Sequence, residues 1–400
     1  MRRSFELGTT IWQGRGMGIK ARGRFVRAIA LSAAAAALLA GCAETGDPYY
    51  KPIAPEAYPK ADGPGEALDP GEIDAAARIA AIIHAHLLRL YVDQPVRRDA
   101  HPKPHGCVEA TLTVRGDVPD ALRHGLFAAP GSYRATIRYS NSNEDPNRPD
   151  YKKDGRGMAV KVHGIPGAPL TVAPGAEPSQ DFIMINFPTF LVGKADDYRK
   201  LVGFTDSPNK LTQWLAPVLV PISIGIKGTM NAVGATSSLI DNPLNTRYWS
   251  MVPYQLGTGA AAQAVKYSAM ACEPKPVVIP KTDNPNYLRQ AMQDQLSRGS
   301  ACMKLMVQPR TSDAMSVEDP RYEWMEAEAP FHEVATIDIP QQQFDTPEKN
   351  AACEALSYSP WHALAEHKPL GAVNRMRKAI YERIFELRRE TGDTRLLAQK

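Results

Sequence analysis

Arg377, Tyr381 and Arg388 lie on one strongly helical stretch, Leu370 to Glu390. At about 100° per residue, offsets of 4 and 11 place all three within roughly 40° of one helix face. Cations beside a phenol favour its ionised form. A phenolate is a hard anionic oxygen donor, suited to ferric iron. Arg375, Lys378, Arg383 and Arg389 crowd the same segment, so a basic, solvent-exposed helix end is the alternative reading. Gly392 stands where a C-terminal cap belongs.

A second set of reactive side chains lies far upstream. His101 and His105 sit in a proline-rich segment with Arg98 close before them. Imidazole has an unperturbed pKa of about 6.5 and is a good proton shuttle near neutrality. Loop histidines without a chemical role are the alternative. His84 and His86, two residues apart on a helical pattern, point to different faces and are read as surface or packing residues.

The elements that must position these groups are mostly strands. Residues 108–114, 133–139, 158–162 and 181–185 are β-branched or alternating runs, separated by Gly, Pro and Asn. Further strands are expected near 265–280, 301–308 and 334–339. The spacing predicts an antiparallel sheet or barrel. Asp69-Pro70-Gly71-Glu72 reads as a helix start, with Asp69 as N-cap, and Ile73, Ala77, Ala80, Ile83, Leu87 and Leu90 follow with helical periodicity. Trp214 to Ile226 is apolar but carries Pro217 and Pro221, so it is too short and too broken to span a membrane. It is read as a buried segment, with an apolar access route as the alternative. The class is α+β, with no domain boundary between 71 and 400.

Charge and composition narrow the partners. The chain has 400 residues, a net charge of +4 and 34 prolines. Residues 1–41 carry seven basic residues against Glu6 alone, followed by an apolar stretch from Phe25 to Ala40. That pattern describes a secretory signal, with Met1 or Met17 as its start. Without it the chain has 40 basic and 42 acidic residues, a net of −2. The case for nucleic acid goes with the signal. Leu39-Ala40-Gly41-Cys42 resembles the bacterial lipobox, which makes Cys42 the lipidation site and implies a membrane anchor in the cell envelope. Ala43 lacks the aspartate linked with inner-membrane retention, so the outer membrane is favoured. Residues 42–70, with six prolines between 48 and 70, read as a tether, and 71–400 as the functional domain. Cys107, Cys272, Cys302 and Cys353 contain no CxxC pair. They are free thiols or disulfides in one of three pairings.

Arg377-x3-Tyr381-x6-Arg388 is similar to the proximal motif of the haem catalases. Four more fragments resemble that family in order. They are Arg98-Asp99-Ala100-His101-Pro102-Lys103, Arg138-Tyr139-Ser140, Asp154-Gly155-Arg156-Gly157-Met158-Ala159-Val160-Lys161-Val162 and Asp181-Phe182-Ile183-Met184-Ile185-Asn186-Phe187-Pro188. The resemblance spans most of the chain beyond the tether. It implies a catalase-like antiparallel β-barrel with surrounding helices, haem b as cofactor, and a C-terminal helix that ligates the iron. It makes Tyr381 the ligand, Arg377 the phenolate's charge partner, and Arg98, Arg138 and Arg388 partners of the propionates. It makes His101 the distal acid–base, with His105 as the alternative, Ser140 its support and Asn186 a distal-pocket amide.

Peroxide or a hydroperoxide is the implied substrate. One departure stands out: the family's first distal asparagine aligns with Ile185, and Asn186 matches the second. That register implies weaker turnover of hydrogen peroxide and more room for apolar hydroperoxides. A non-enzymatic haem- or lipid-binding barrel and a fatty-acid hydroperoxide isomerase or lyase are the competing readings. Phe190 or Tyr198 would supply the aromatic that stacks on haem. Oligomeric state stays open.

Overall fold

A computed structural model describes residues 47–392. Cys42 and its lipobox-like context lie outside the described residues. The packed body begins at Tyr49.

Nine strands form one antiparallel sheet: β1 Pro104–Val114, β2 Gly131–Asn141, β3 Arg156–His163, β4 Ser179–Ile185, β5 Tyr248–Trp249, β6 Tyr254–Leu256, β7 Gln263–Ala271, β8 Ala301–Pro309 and β9 His332–Ile339. Pairing runs β5-β4-β3-β2-β1-β9-β8-β7, and β5 pairs again with β7. The sheet therefore closes into an eight-stranded barrel, with β6 added beside β7. Closure removes the sheet edges that would otherwise invite pairing with another chain. Alternation aims one side of each strand inward, so Val108, Leu112, Ile137, Val160, Phe182 and Leu305 share one core. The strands expected from alternation are all present.

Among the described residues, six α-helices surround the barrel: α1 Glu72–Leu90, α2 Ala195–Thr205, α3 Lys210–Thr236, α4 Tyr287–Leu296, α5 Pro347–Ala355 and α6 Gly371–Thr391. Helix α1 packs Ile79, Ile83 and Leu87 against Met376, Ile380 and Leu387 of α6 in a second core. Gly392, at φ 93°, caps α6 in the left-handed conformation that glycine adopts without a Cβ penalty. Disulfides join Cys107 to Cys353 and Cys272 to Cys302. The first ties α5 to strand β1 across 246 residues.

Three expectations are corrected. Helix α1 starts at Glu72 with Gly71 at its N-cap, not Asp69. Gly71 takes φ 82°, and the Glu72 carboxylate reaches back to accept from the Asp69 amide at 3.3 Å. Residues 49–70 are not a free tether but part of the body. The Tyr58 hydroxyl donates to Glu72 at 2.9 Å, and Glu66 pairs with Arg375 at 2.5 Å. Trp214 to Ile226 is not a buried segment; it lies on α3, where Ile224 turns inward but Trp214 is 76% and Ile226 84% exposed.

Candidate functional site

Strand β2 ends where the loop carrying His101 crosses it. His101 Nδ1 and Ser140 Oγ share a hydrogen bond at 3.1 Å. Arg138, two residues earlier on the same face of β2, donates from Nη2 to the His101 carbonyl at 2.7 Å. His101 takes φ 65°, a left-handed conformation uncommon outside glycine. Gly157 of β3 makes room for the pair. A Cβ there would come 2.6 Å from His101 Nδ1 and 2.7 Å from Ser140 Oγ. Burial, then Arg138, with Arg377 and Arg98 behind it, pushes the His101 pKa down to about 3, against an opposing backbone hydrogen bond at Asn141. The ring is therefore neutral at pH 7 and free to accept a proton. His105 does not meet Ser140. It is buried 3.7 Å from Asp150, beside the Lys103–Asp150 ion pair.

Arg98, Arg138 and Arg388 come from a loop, a strand and a helix, and all three act on Glu354 of α5. Arg98 Nη1 meets Glu354 Oε1 at 2.6 Å. Arg388 Nη2 donates to the Glu354 carbonyl at 2.5 Å and lies 3.8 Å from Oε1. Burial pushes the Glu354 carboxyl up, and the arginines outweigh it and hold it below the usual carboxylate range. Burial and the neighbouring Arg98 bring the Arg138 pKa down to about 9, and Arg138 Nε is buried with no hydrogen-bond partner. Glu354 was not legible in the sequence. Only the Cys107–Cys353 pairing, one of three open there, would have carried it to β1.

Arg377 is buried on the inner face of α6, and Tyr381, one turn on, is half-buried. The Arg377 guanidinium lies 5.2 Å from the centre of the Phe190 ring, which meets Tyr198 edge-on at 5.7 Å. Arg377 and Tyr381 both lie close to Tyr198 and Tyr254, so the two residues share one neighbourhood. Burial pushes Tyr198 up to about 12, which keeps it a neutral phenol. Asn186 sits at the end of β4 with both ends of its amide engaged. Oδ1 accepts from the Arg156 backbone N–H at 2.7 Å, and Nδ2 donates to Ser238 Oγ at 2.9 Å. Ile185 beside it is buried.

Other residues of the quoted fragments hold the frame. Lys161 meets Asp181 at 2.8 Å, and His362 joins the same carboxylate at 2.9 Å. Buried Arg156 donates to the carbonyls of Asp150 and Lys152.

A closed barrel wrapped by helices in this order is the catalase-like fold, of the α+β class. Two catalases are among the solved structures that share it. One is a fungal catalase, at 15% identity and a TM-score of 0.56, covering 87% of this chain and 68% of that one. The other is catalase A from Saccharomyces cerevisiae, at 15% identity and a TM-score of 0.54, covering 86% and 69%. Identity this low shows the fold alone. No protein-family model and no curated protein matches the chain.

Proposed function

We propose that the protein binds haem b and decomposes hydrogen peroxide or reduces organic hydroperoxides at it. The observation that carries this reading is the buried Arg138 Nε left unpartnered beside His101, with Arg98 and Arg388 gathered at neighbouring Glu354. The propionates of a haem would supply carboxylates there, and guanidinium binds carboxylate through paired donors. The residues therefore fit haem. Arg98, Arg138 and Arg388 would hold its propionates, Tyr381 its iron, and Arg377 would favour the phenolate. Bound haem supplies the iron at which the O–O bond of peroxide breaks.

The chain's own part is proton movement and packing. Neutral His101 takes the proton from the inner peroxide oxygen and returns it to the outer one, so that water leaves. Ser140 holds the imidazole in the orientation this requires. Phe190 stands under Arg377, where it can pack on the flat face of a macrocycle.

Substrate choice turns on Ile185 and Asn186. The Asn186 amide is committed to Arg156 and Ser238, and Ile185 offers no donor. That favours organic hydroperoxides over hydrogen peroxide. The competing readings, a haem- or lipid-binding barrel without turnover and a hydroperoxide isomerase or lyase, differ in what the bound protein does with such substrates.

Absorption spectra of the purified protein and of Tyr381→Phe test the site. A Soret band that shifts in Tyr381→Phe is expected. No Soret band removes the haem reading, and an unchanged one removes the ligand assignment. Oxygen evolution with hydrogen peroxide, set against loss of an organic hydroperoxide with a reducing co-substrate, separates the activities. The signal and Cys42 further support a lipid-anchored protein of a bacterial envelope, which the mass of the mature N-terminal peptide tests.

A further inference from the structure

Helix α3 buries one face and exposes the other. Ile224, Gly228, Asn231 and Ala235 face the body. A Cβ on Gly228 would collide with the Leu191 carbonyl, so the helix rides close on its neighbour. Asn231 Nδ2 fastens it to the carbonyls of Phe190 at 2.8 Å and Arg321 at 2.9 Å.

The opposite face carries Trp214, Val218, Ile222, Ile226, Met230 and Val233, each between 59% and 84% exposed. Trp214, Val218 and Ile222 repeat every four residues before Gly225, and Ile226, Met230 and Val233 every three or four after it. Exposed apolar residues are ordinarily scattered singly, and a continuous stripe marks a contact surface. The segment from Lys210 to Thr236 has no acidic residue; its only charges are Lys210 and Lys227. Gly225, at φ 72°, breaks the helix there. The part before it, at 1.5 Å per residue, is about 22 Å long, short of the ~30 Å hydrocarbon core of a bilayer.

We propose that α3 docks on a membrane, with its apolar stripe sunk among the acyl chains, Trp214 at headgroup depth and the two lysines against anionic phosphates. The chain leading to the body points to a lipid occupant. The body begins at Tyr49, only seven residues after Cys42. Fully extended, those residues reach about 25 Å. A lipid on Cys42 would therefore hold the body against the bilayer, a step that rests on the lipoprotein reading; the stripe itself stands without it and without haem. Docked in this way, α3 sets the Phe190 segment beside the membrane.

Tryptophan emission of the full chain in phosphatidylglycerol–phosphatidylethanolamine vesicles with brominated acyl chains tests this. Quenching that is present in the wild type and absent from the wild-type-minus-Trp214→Phe difference would overturn it. Expected instead is a blue-shifted, quenched component that Trp214→Phe abolishes. Ile222→Glu/Ile226→Glu changes only side chains already in water. It should keep the circular dichroism spectrum and cut Trp214 quenching by about half or more, because a charge is costly among acyl chains. Unchanged quenching in that variant counts against the proposal. So does sedimentation showing a wild-type dimer that the double variant converts to a monomer, since the stripe would then be covered by a second copy.

Discussion

Helix α6 carries arginines into two charge clusters of opposite balance. Near its start, Arg375 is fully buried and faces Glu66, Glu72 and Glu318. Nε and Nη2 hold Glu72 at 2.7 and 2.8 Å, and Nη1 holds Glu66 at 2.5 and Glu318 at 2.9 Å. The carboxylates are met from behind as well. The backbone N–H groups of Gly371 and Ala372, unpaired donors at a helix N-terminus, donate to Glu66 and Glu318. Burial alone would lower the Arg375 pKa, and the three carboxylates raise it well above its ordinary value. Near the other end of α6, Arg388 joins Arg98 and Arg138 at Glu354, and there the Arg138 pKa falls to about 9. A buried arginine that is paired on every edge ties the fold together. On the proposed reading, the orphan Arg138 Nε among other cations would meet a carboxylate of the ligand.

That contrast fails or holds on substitutions. The largest effect is expected from Arg375→Met, which leaves Glu72 buried without its cation and takes Arg375 from Glu318 and from Glu66, which Lys368 still meets at 3.2 Å. Breaking such a cluster costs on the order of 3–5 kcal/mol. The measurement is the urea unfolding midpoint, and a loss below about 1 kcal/mol would deny Arg375 its structural role. Glu354→Gln comes next. It removes the carboxylate that Arg98 and Arg388 share, and because Glu354 is not fully enclosed the expected loss is about 2 kcal/mol. On the proposed reading, adding haemin should restore that loss, because its propionates replace the missing carboxylate. Arg138→Gln is expected to leave the ligand-free stability within about 1 kcal/mol of wild type, since losing one hydrogen bond is offset by relief of repulsion from Arg98 and Arg388. Haemin affinity, read by titration of the Soret band, should then fall roughly ten- to a hundredfold, the worth of one charge-assisted contact. Equal destabilisation by Arg138→Gln and Arg375→Met would erase the distinction between the clusters.

Local pattern explains what was legible in the sequence. Alternation revealed the strands because the barrel has one dry side, and helical spacing aligned Arg377, Tyr381 and Arg388 because α6 is one unbroken helix. Arg98 and Arg138 acquired meaning only from the ordered resemblance, since neither lies in a periodic pattern with the other. Glu354 had no local signal; a disulfide between residues 246 positions apart brings it to the site. Exposure of α3 was misread for a related reason. An apolar run looks alike whether it is covered or bare, and only the packing of Gly228 and Asn231 shows which face turns inward. The prolines before residue 70 do favour extended chain, yet Tyr58 and Glu66 fasten it to α1 and α6, and such long-range partners leave no trace in composition.

The smallest effect sharpens the contrast most. His101 is held neutral down to about pH 3, with Arg138 the leading charge acting on it after burial. Peroxide turnover that depends on the neutral imidazole should be flat from pH 8 to about pH 5 and lose its base only below that. Stability has the same sign. The unfolded chain protonates this histidine near pH 6.5 and the native chain only near 3, so falling pH steadily favours unfolding across that window. Circular dichroism must therefore accompany the rate measurements. Removing the Arg138 charge should move the acid limb upward, towards the ordinary histidine value. Arg375→Met, where enough folded protein can be assayed, should leave the limb in place, because Arg375 is enclosed by its own carboxylates. If both substitutions shift the limb alike, His101 senses the net charge of the whole domain, and the two clusters are not separate electrostatic units.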